Sequence, residues 1–364
     1  MTDIVISGYY GFGNAGDEAM LAAMIEVLTE LNPSARITVI SGNAADTRKR
    51  HGVKAVDRVN APAIVMALAK SDLLISGGGS LLQDVTSERS LYYYLGIIYL
   101  AKRLGTKVML YAQGIGPVNG SFAQSVMRRV GNQVDLITVR DEGSREELRR
   151  LQITKPAVHV TADPVLALHP VDKHLGRTIL RQHNVAGVSP LIGISARDWQ
   201  GRENYQQALI DAAHRLQQEQ GARIVLLPMQ WPDDRAVSQR LAEQIGGQVT
   251  VLEGDYTTSE LMSIVGNLDL LIGIRLHALI FAAVMQVPLL GISYDPKIER
   301  FLATLGDQPV GSLETVTAQN LAARAGQLLT VDGKEKERAT LLNGLRKKAL
   351  LSAELALELA DRRR

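Results

Sequence analysis

Short runs of branched apolar residues alternate with longer amphipathic stretches along almost the whole chain. That rhythm restricts the fold more than any other feature. In the first half the apolar runs are DIVISG, RITVISG, DLLISGG, KVMLYAQG, DLITVRD and VHVTAD. Each is continuous and rich in Val, Ile and Leu, the pattern of parallel strands buried on both faces. Helical patterns lie between them, for example over residues 17–31 and 122–132. Strands that alternate with helices in this way predict a doubly wound α/β sheet.

The rhythm breaks over LHPVDKHLGRTILRQHNVAGVSP, a polar segment with room for one short helix. It then restarts with LIGISARD, RIVLLPMQ, VTVLEG, LDLLIGIR and VPLLGISY. The expected organisation is therefore a Rossmann-like domain over 1–170, a linker over 171–189 and a second Rossmann-like domain over 190–332. Residues 333–364 form a C-terminal helix bracing the two. A length of 364 residues suits two domains of ordinary size. Two such sheets facing across a cleft place ligands at the carboxyl ends of their strands. With 40 basic and 38 acidic side chains the net charge of +2 offers no bulk attraction for nucleic acid or an anionic membrane. Absence of cysteine removes disulfides, cysteine–zinc sites and thiol nucleophiles together. No apolar run reaches the roughly 20 residues of a membrane span, and Met1 leads into a strand with no signal-like segment. The expected location is cytoplasmic, with at most peripheral contact at the inner face of the membrane. The C-terminal RKK and RRR clusters would make that contact, although Glu354 and Glu358 dilute their charge.

Residues 11–16, GFGNAG, satisfy the dinucleotide pattern G-x-G-x-x-G, but their surroundings do not. Tyr9 and Tyr10 separate strand from glycines, and the second strand ends in Ser41-Gly42-Asn43 without a ribose-binding carboxylate. Asp17 and Glu18 occupy the first turn of the next helix, where they compete with a pyrophosphate for the same N–H groups. Tyr10, Phe12, Asn14 and Asp17 instead offer the mixture of aromatic faces and polar atoms that suits a sugar.

Other polar residues gather at strand ends. Gly78, Gly79 and Ser80 stand where a strand meets the next helix and could cradle an anion, with Asp84 close behind. Arg140 and Arg197 emerge at corresponding places in the two halves, suited to bidentate contact with carboxylate or phosphate. The sharpest group is LLIGIRLHALIFA: Arg275 and His277 interrupt an otherwise uncharged run between a strand and an apolar helix. Histidine is the natural proton donor near neutral pH, and a helix start favours phosphate. Lys297 follows the next strand and falls on the same rim. This set of cations with one titratable donor suits a small, highly anionic substrate. No cluster has metal-ligand spacing, and neither a G-x-S-x-G elbow nor a Walker A loop is present.

The ordered set GYYGFGNAGDEAML, SGGGSLLQD, QGIGP, VRDEGS, ADPVL, ISARDW, LPMQWPDD, GIRLHALIFA and ISYDPK resembles the polysaccharide pyruvyl transferases. The similarity is greatest to the bacterial cell-wall subgroup that pyruvylates secondary cell-wall or lipid-linked saccharides. The resemblance implies a GT-B-like fold, phosphoenolpyruvate as co-substrate with no resident cofactor, and a 4,6-ketal of pyruvate as product. It implies a role in polysaccharide biosynthesis and a saccharide acceptor, with a lipid diphosphate among the carriers allowed. His277 is then the general acid, Arg140 and Lys297 act with it in catalysis, and Arg275 and Arg197 bind the donor. Tyr10, Phe12, Asn14, Asp17 and Asp84 face the acceptor. Two other readings stay open at this point: a nucleotide-sugar glycosyltransferase on the same fold, and a non-catalytic sensor of an anionic metabolite.

Overall fold

The structure is a computed structural model that describes residues 1–85, 87–185, 187, 190–199, 203–330, 333 and 335–361. Within the expected linker, residues 186, 188 and 189 lie outside the described residues, as does the terminal arginine run 362–364. The chain divides into two compact units. The first comprises Met1–Phe12, Asp17–Leu168 and Leu345–Arg364; the second comprises Gly13–Gly16 and His169–Gly344.

The first unit alternates β1 (Asp3–Ser7), α1 (Ala15–Leu31), β2 (Arg36–Ser41), α2 (Ala44–His51), β3 (Lys54–Asp57), α3 (Ala61–Lys70), β4 (Leu73–Gly77) and α4 (Glu88–Arg103). It continues through β5 (Lys107–Gln113), α5 (Ser121–Gly131), β6 (Leu136–Val139), α6 (Glu142–Arg150) and β7 (Ala157–Val160) to a 3-10 turn at Pro164–Ala167. The seven strands form one parallel sheet in the order β3-β2-β1-β4-β5-β6-β7. The order reverses between β1 and β4, and the loops leaving those two strands diverge there. Open α/β sheets bind ligands at such points. Central strands such as β4 are buried along their whole length, which accounts for their unbroken apolar sequence. Edge strand β3 reads Lys-Ala-Val-Asp and is at most half-buried, so no apolar run announces it.

The second unit repeats the scheme with α7 (Lys173–Gln182), β8 (Leu191–Ser195), α8 (Glu203–Gln220), β9 (Arg223–Leu226), α9 (Asp233–Ile245), β10 (Val249–Val251) and α10 (Thr258–Val265). After these come β11 (Leu270–Gly273), α11 (Leu276–Val284), β12 (Leu289–Ser293), α12 (Pro296–Thr304), β13 (Gly311–Ser312) and α13 (Ala318–Thr330). Six parallel strands run β10-β9-β8-β11-β12-β13, with the reversal between β8 and β11. The short helix foreseen in the polar connection is α7. It packs closely on α10: the Gly176 amide donates to Ser263 Oγ at 2.7 Å, and a Cβ on Gly176 would lie 2.2 Å from the Ser263 backbone.

The last helix, α14 (Glu335–Asp361), starts in the second unit and ends in the first. Near its start Arg338 is buried; beyond it two leucines, Leu345 and Leu359, are buried, and the rest of the buried stripe is small: Ala349, Ser352, Ala353, Ala356 and Ala360. In the first unit the single Ser352 hydroxyl proton is shared between Thr161 Oγ1 at 2.9 Å and Thr138 Oγ1 at 3.1 Å, binding the helix to β6 and to the residue that follows β7.

Candidate functional site

At the reversal point of the second sheet, the fully buried strand β11 ends in Gly273, and the Ile274 amide still reaches Ser195 O of β8 at 3.1 Å. Arg275 then leaves the sheet in an extended conformation and becomes the residue that caps α11. Its guanidinium is nearly buried and grips the wholly buried Asp234 through two bonds. Nε donates to Oδ2 at 2.9 Å, and Nη2 bonds Oδ1. Nη2 also reaches Gln230 Oε1 at 3.3 Å, whereas Nη1 has no acceptor among the described residues. Asp234 Oδ2 collects the amides of Met229 and Gln230 as well, at 3.1 and 3.0 Å. A buried carboxylate with this many donors keeps its charge satisfied and fixes the turn before α9. Asp234 has no signal of its own in the sequence, because an acid in the first turn of a helix reads as a complement to the helix dipole.

His277 is the second residue of α11. Its ring fills the space beside Gly16, where a Cβ would lie 2.1 Å from Nδ1 and 2.6 Å from Cγ. Segment Gly13–Gly16 is held in the second unit by main-chain bonds: Ala15 N to Met229 O at 2.8 Å and Trp231 N to Gly13 O at 3.0 Å. Asn14 uses its side-chain oxygen to accept from the Gly16 amide at 2.9 Å. The third glycine of GFGNAG is thus required by an imidazole more than 250 residues away in sequence.

Two cations flank this centre. Arg197, after β8, lies over the Trp199 ring at 5.4 Å, and Lys297 Nζ lies over the Tyr294 ring at 4.9 Å. The two rings touch, with centroids 5.1 Å apart. Asp295 caps α12 by accepting from the Lys297 amide at 2.9 Å, and its other oxygen stands 3.5 Å from Nζ. The strands that carry these residues lie on either side of β11, so Arg197 and Lys297 share its rim, joined by an aromatic pair that charge-based reasoning passed over. Trp199 was legible only as part of ISARDW and Tyr294 as part of ISYDPK.

In the first unit Arg140 leaves β6 with its side chain mostly covered. Nη2 donates to Ser80 Oγ at 3.0 Å, and Nη1 lies 3.5 Å from Asp163 of the segment after β7. Gly114 is small because a Cβ there would meet Arg140 Nη2 at 2.7 Å and Ser80 Oγ at 2.8 Å. Gln113 Nε2 and the Gly114 amide both donate to Gly79 O. These contacts bring Arg140, Ser80 and Asp163 into one polar group at the carboxyl ends of β4 to β7.

Several first-unit residues are placed differently from expectation. Gly78 and Gly79 take left-handed conformations at φ 79° and 70°, but their amides are already engaged, by Tyr111 O and Met20 Sδ. Helix α4 starts at Glu88, so no helix end stands behind Ser80 to strengthen an anion cradle. Tyr10 shows no face to a ligand: it is buried, with its hydroxyl donating to Gly77 O at 2.6 Å. Burial pushes that hydroxyl's pKa well up, and the charge of Asp17 adds to the effect. Both carboxylate oxygens of Asp84 serve the next loop, accepting from Asn119 and Gly120. Phe12 stacks on Tyr9 at 4.3 Å, and the Arg58 guanidinium lies 5.2 Å from its ring. Asp17 Oδ1 stands where a Cβ on Gly79 would come within 3.0 Å. Glu18 clamps the glycine loop, accepting from the Gly11 amide at 2.7 Å and pairing with His51 at 2.8 Å. Among the described residues no group of His, Asp and Glu side chains converges to hold a metal ion.

A family model described as "Polysaccharide pyruvyl transferase" matches residues 14–296. Among solved structures the chain is similar to a glycosyltransferase from Rickettsia africae, with TM-score 0.68, 11% identity and coverage of 100% of this chain and 99% of that one. It is also similar to MnaA of S. aureus in complex with UDP, with TM-score 0.66, 14% identity and coverage of 98% and 95%. A third is UDP-GlcNAc 2-epimerase of Neisseria meningitidis bound to UDP-GlcNAc, with TM-score 0.65, 14% identity and coverage of 98% and 100%. At these identities the likeness is one of fold, a GT-B-type pair of parallel α/β sheets.

Proposed function

The chain belongs to the polysaccharide pyruvyl transferase family, and from that membership we propose that it transfers the pyruvate unit of phosphoenolpyruvate to a saccharide as a 4,6-ketal. The observation that carries this reading is His277, set in the first turn of α11 beside the fixed Arg275 and between the rim cations Arg197 and Lys297. A trianionic donor is attracted by the helix start and by these cations. An imidazolium is the group suited to give a proton to its methylene carbon.

In the proposed sequence the His277 proton goes to C3, leaving an oxocarbenium-like C2. One sugar hydroxyl adds at C2 and yields its proton to the neutral imidazole. The C2–O bond to phosphate breaks, a second hydroxyl adds at C2, and its proton passes to the departing phosphate as the ketal closes. Lys297 and Arg197 hold the anion as charge moves onto the leaving phosphate, and Arg275 contributes through Nη1, which lies outside its pairing with Asp234. Arg140 is assigned to catalysis from the first unit, where Ser80 and Asp163 fix its guanidinium. Phe12, Asn14 and Asp17 are assigned to the acceptor, with a cell-wall or lipid-linked saccharide as its class.

The experiment is release of phosphate from phosphoenolpyruvate in the presence of a saccharide panel. His277→Ala should lower turnover by about 10²–10⁴-fold, the span of a lost general acid. Unchanged turnover in that variant would remove His277 from the mechanism. Saturable turnover of a nucleotide-diphosphate sugar, with no consumption of phosphoenolpyruvate, would instead establish a glycosyltransferase. Binding of phosphoenolpyruvate without acceptor-dependent phosphate release would establish a sensor.

A further inference from the structure

Helices α3, α4 and α5 pack side by side as one layer of the first unit, α3 against α4 and α4 against α5. Among the described residues the first unit exposes eight large apolar side chains, and six of them belong to this layer or the turns entering it: Val59, Val65, Met66, Val85, Tyr99 and Phe122. Their exposure runs from 83% at Val59 and 69% at Phe122 through 57% at Met66 to 37% at Val65. The outward side of α3 is apolar from Ala61 to Ala69, and only Lys70 closes it. Exposed apolar side chains concentrated on one layer of helices and its entry turns are the kind of surface that meets an apolar partner.

Charge identifies the partner. The three helices together hold six cations, Lys70, Arg89, Lys102, Arg103, Arg128 and Arg129, against one acid, Glu88. Glu88 is engaged by the Tyr92 hydroxyl at 2.6 Å. Of the cations, Lys102 is paired with Asp135, while Lys70, Arg89, Arg103 and Arg129 meet no carboxylate among the described residues. Exposed apolar and aromatic side chains, with Arg89 at the start of α4 and Lys70, Arg103 and Arg129 in the last turns of the three helices, match the boundary of an anionic bilayer. A second copy of the same face would bring like charges together, which disfavours self-association through it. By contrast α14, the segment that the sequence nominated for membrane contact, balances five acids against five cations in its described span.

We propose that the α3–α4–α5 layer is a membrane-docking surface that rests on anionic lipid headgroups with its apolar side chains in the interface. Among the described residues no helix is long and apolar enough to cross a membrane, and the contact proposed is a peripheral one. The inference stands on this layer alone and does not depend on the reaction assigned above.

The test is cosedimentation of the full chain with vesicles of phosphatidylcholine alone and of phosphatidylcholine mixed with phosphatidylglycerol. Binding should require the anionic lipid and weaken as salt rises from about 0.05 to about 0.5 M. Val65→Glu combined with Met66→Glu should lower it about tenfold or more, and Arg89→Glu with Arg103→Glu similarly. Lys347→Glu with Lys348→Glu on α14 should leave it unchanged. Met66→Trp supplies a second readout that tolerates the fold: its emission should shift to the blue only with anionic vesicles. The proposal is overturned by absence of binding to anionic vesicles, by binding that survives the patch substitutions, or by loss of binding in the α14 variant. It is equally overturned if sedimentation shows a dimer that the Val65 and Met66 substitutions dissolve.

Discussion

Gly16 shows how a single missing methyl group shapes the candidate site. Its position in GFGNAG reads as one more turn residue, yet the space that it leaves is occupied by the His277 ring. Gly16→Ala would place a carbon 2.1 Å from His277 Nδ1, so either the imidazole or the Gly13–Gly16 segment must move. A displacement of about 1 Å at a reacting group costs on the order of 10²-fold in rate. The expected result is therefore a loss of phosphoenolpyruvate turnover of about that size in a protein with nearly normal thermal stability. Full activity in Gly16→Ala would mean that the position of the ring does not matter. Arg275 and His277 were legible because charges inside an apolar run have no packing reason to be there. Asp234 and Gly16 were not, since the first resembles an ordinary helix-start acid and the second is explained only by a side chain distant in sequence. Tyr10 misled for a related reason: an aromatic beside glycines gives no sign that its hydroxyl is spent on Gly77 O.

At the scale of elements, continuous apolar runs located the strands that are buried on both faces, and failed where burial is slight. β3 and β13 are short and half-buried at sheet edges, so they lack the apolar repeat that betrays β4 or β11. Spacing of leucines announced α14, but its contact is built largely from alanines. Small side chains let a helix lie close to its neighbour, and the polar link from Ser352 to Thr138 and Thr161 needs that closeness. Ala353→Leu inserts three carbons at a position that is 0% exposed, and overpacking of this kind costs about 1–3 kcal/mol. Leu351→Ala, at a half-buried position outside the stripe, should cost less. Urea denaturation of the two variants measures the order; a larger loss at Leu351 would show that the leucines carry the contact after all.

Across the whole molecule the same strand order appears twice, with one further edge strand in the first sheet; the second unit places its distinctive polar residues at the strand ends around the reversal, the first at the carboxyl ends of β4 to β7. Repetition made the architecture readable from the sequence, and the leucine spacing of residues 333–364 led to the expectation of a bracing helix, whereas the small residues by which the chain end joins the first unit have no local signature. Leu345–Arg364 belongs with Met1–Phe12 and Asp17–Leu168, and the bond from Ser352 to Thr138 spans 214 positions. The integrity of the first unit should therefore depend on residues that follow the second one. A chain ending at Gly344 loses the buried side chains of Leu345 and Leu359, worth about 1.5–3 kcal/mol each, together with the hydroxyl of Ser352. The Ala112 amide bonds Thr138 Oγ1 at 2.7 Å, so disturbance of Thr138 reaches β5 directly. Hydrogen exchange should then show protection falling in β5, β6 and β7 while β8, β9 and β11 keep theirs. Equal loss in both sheets would indicate that α14 stabilises the chain as one cooperative body. Unchanged protection in β5 to β7 would show that the first unit is complete without its C-terminal segment.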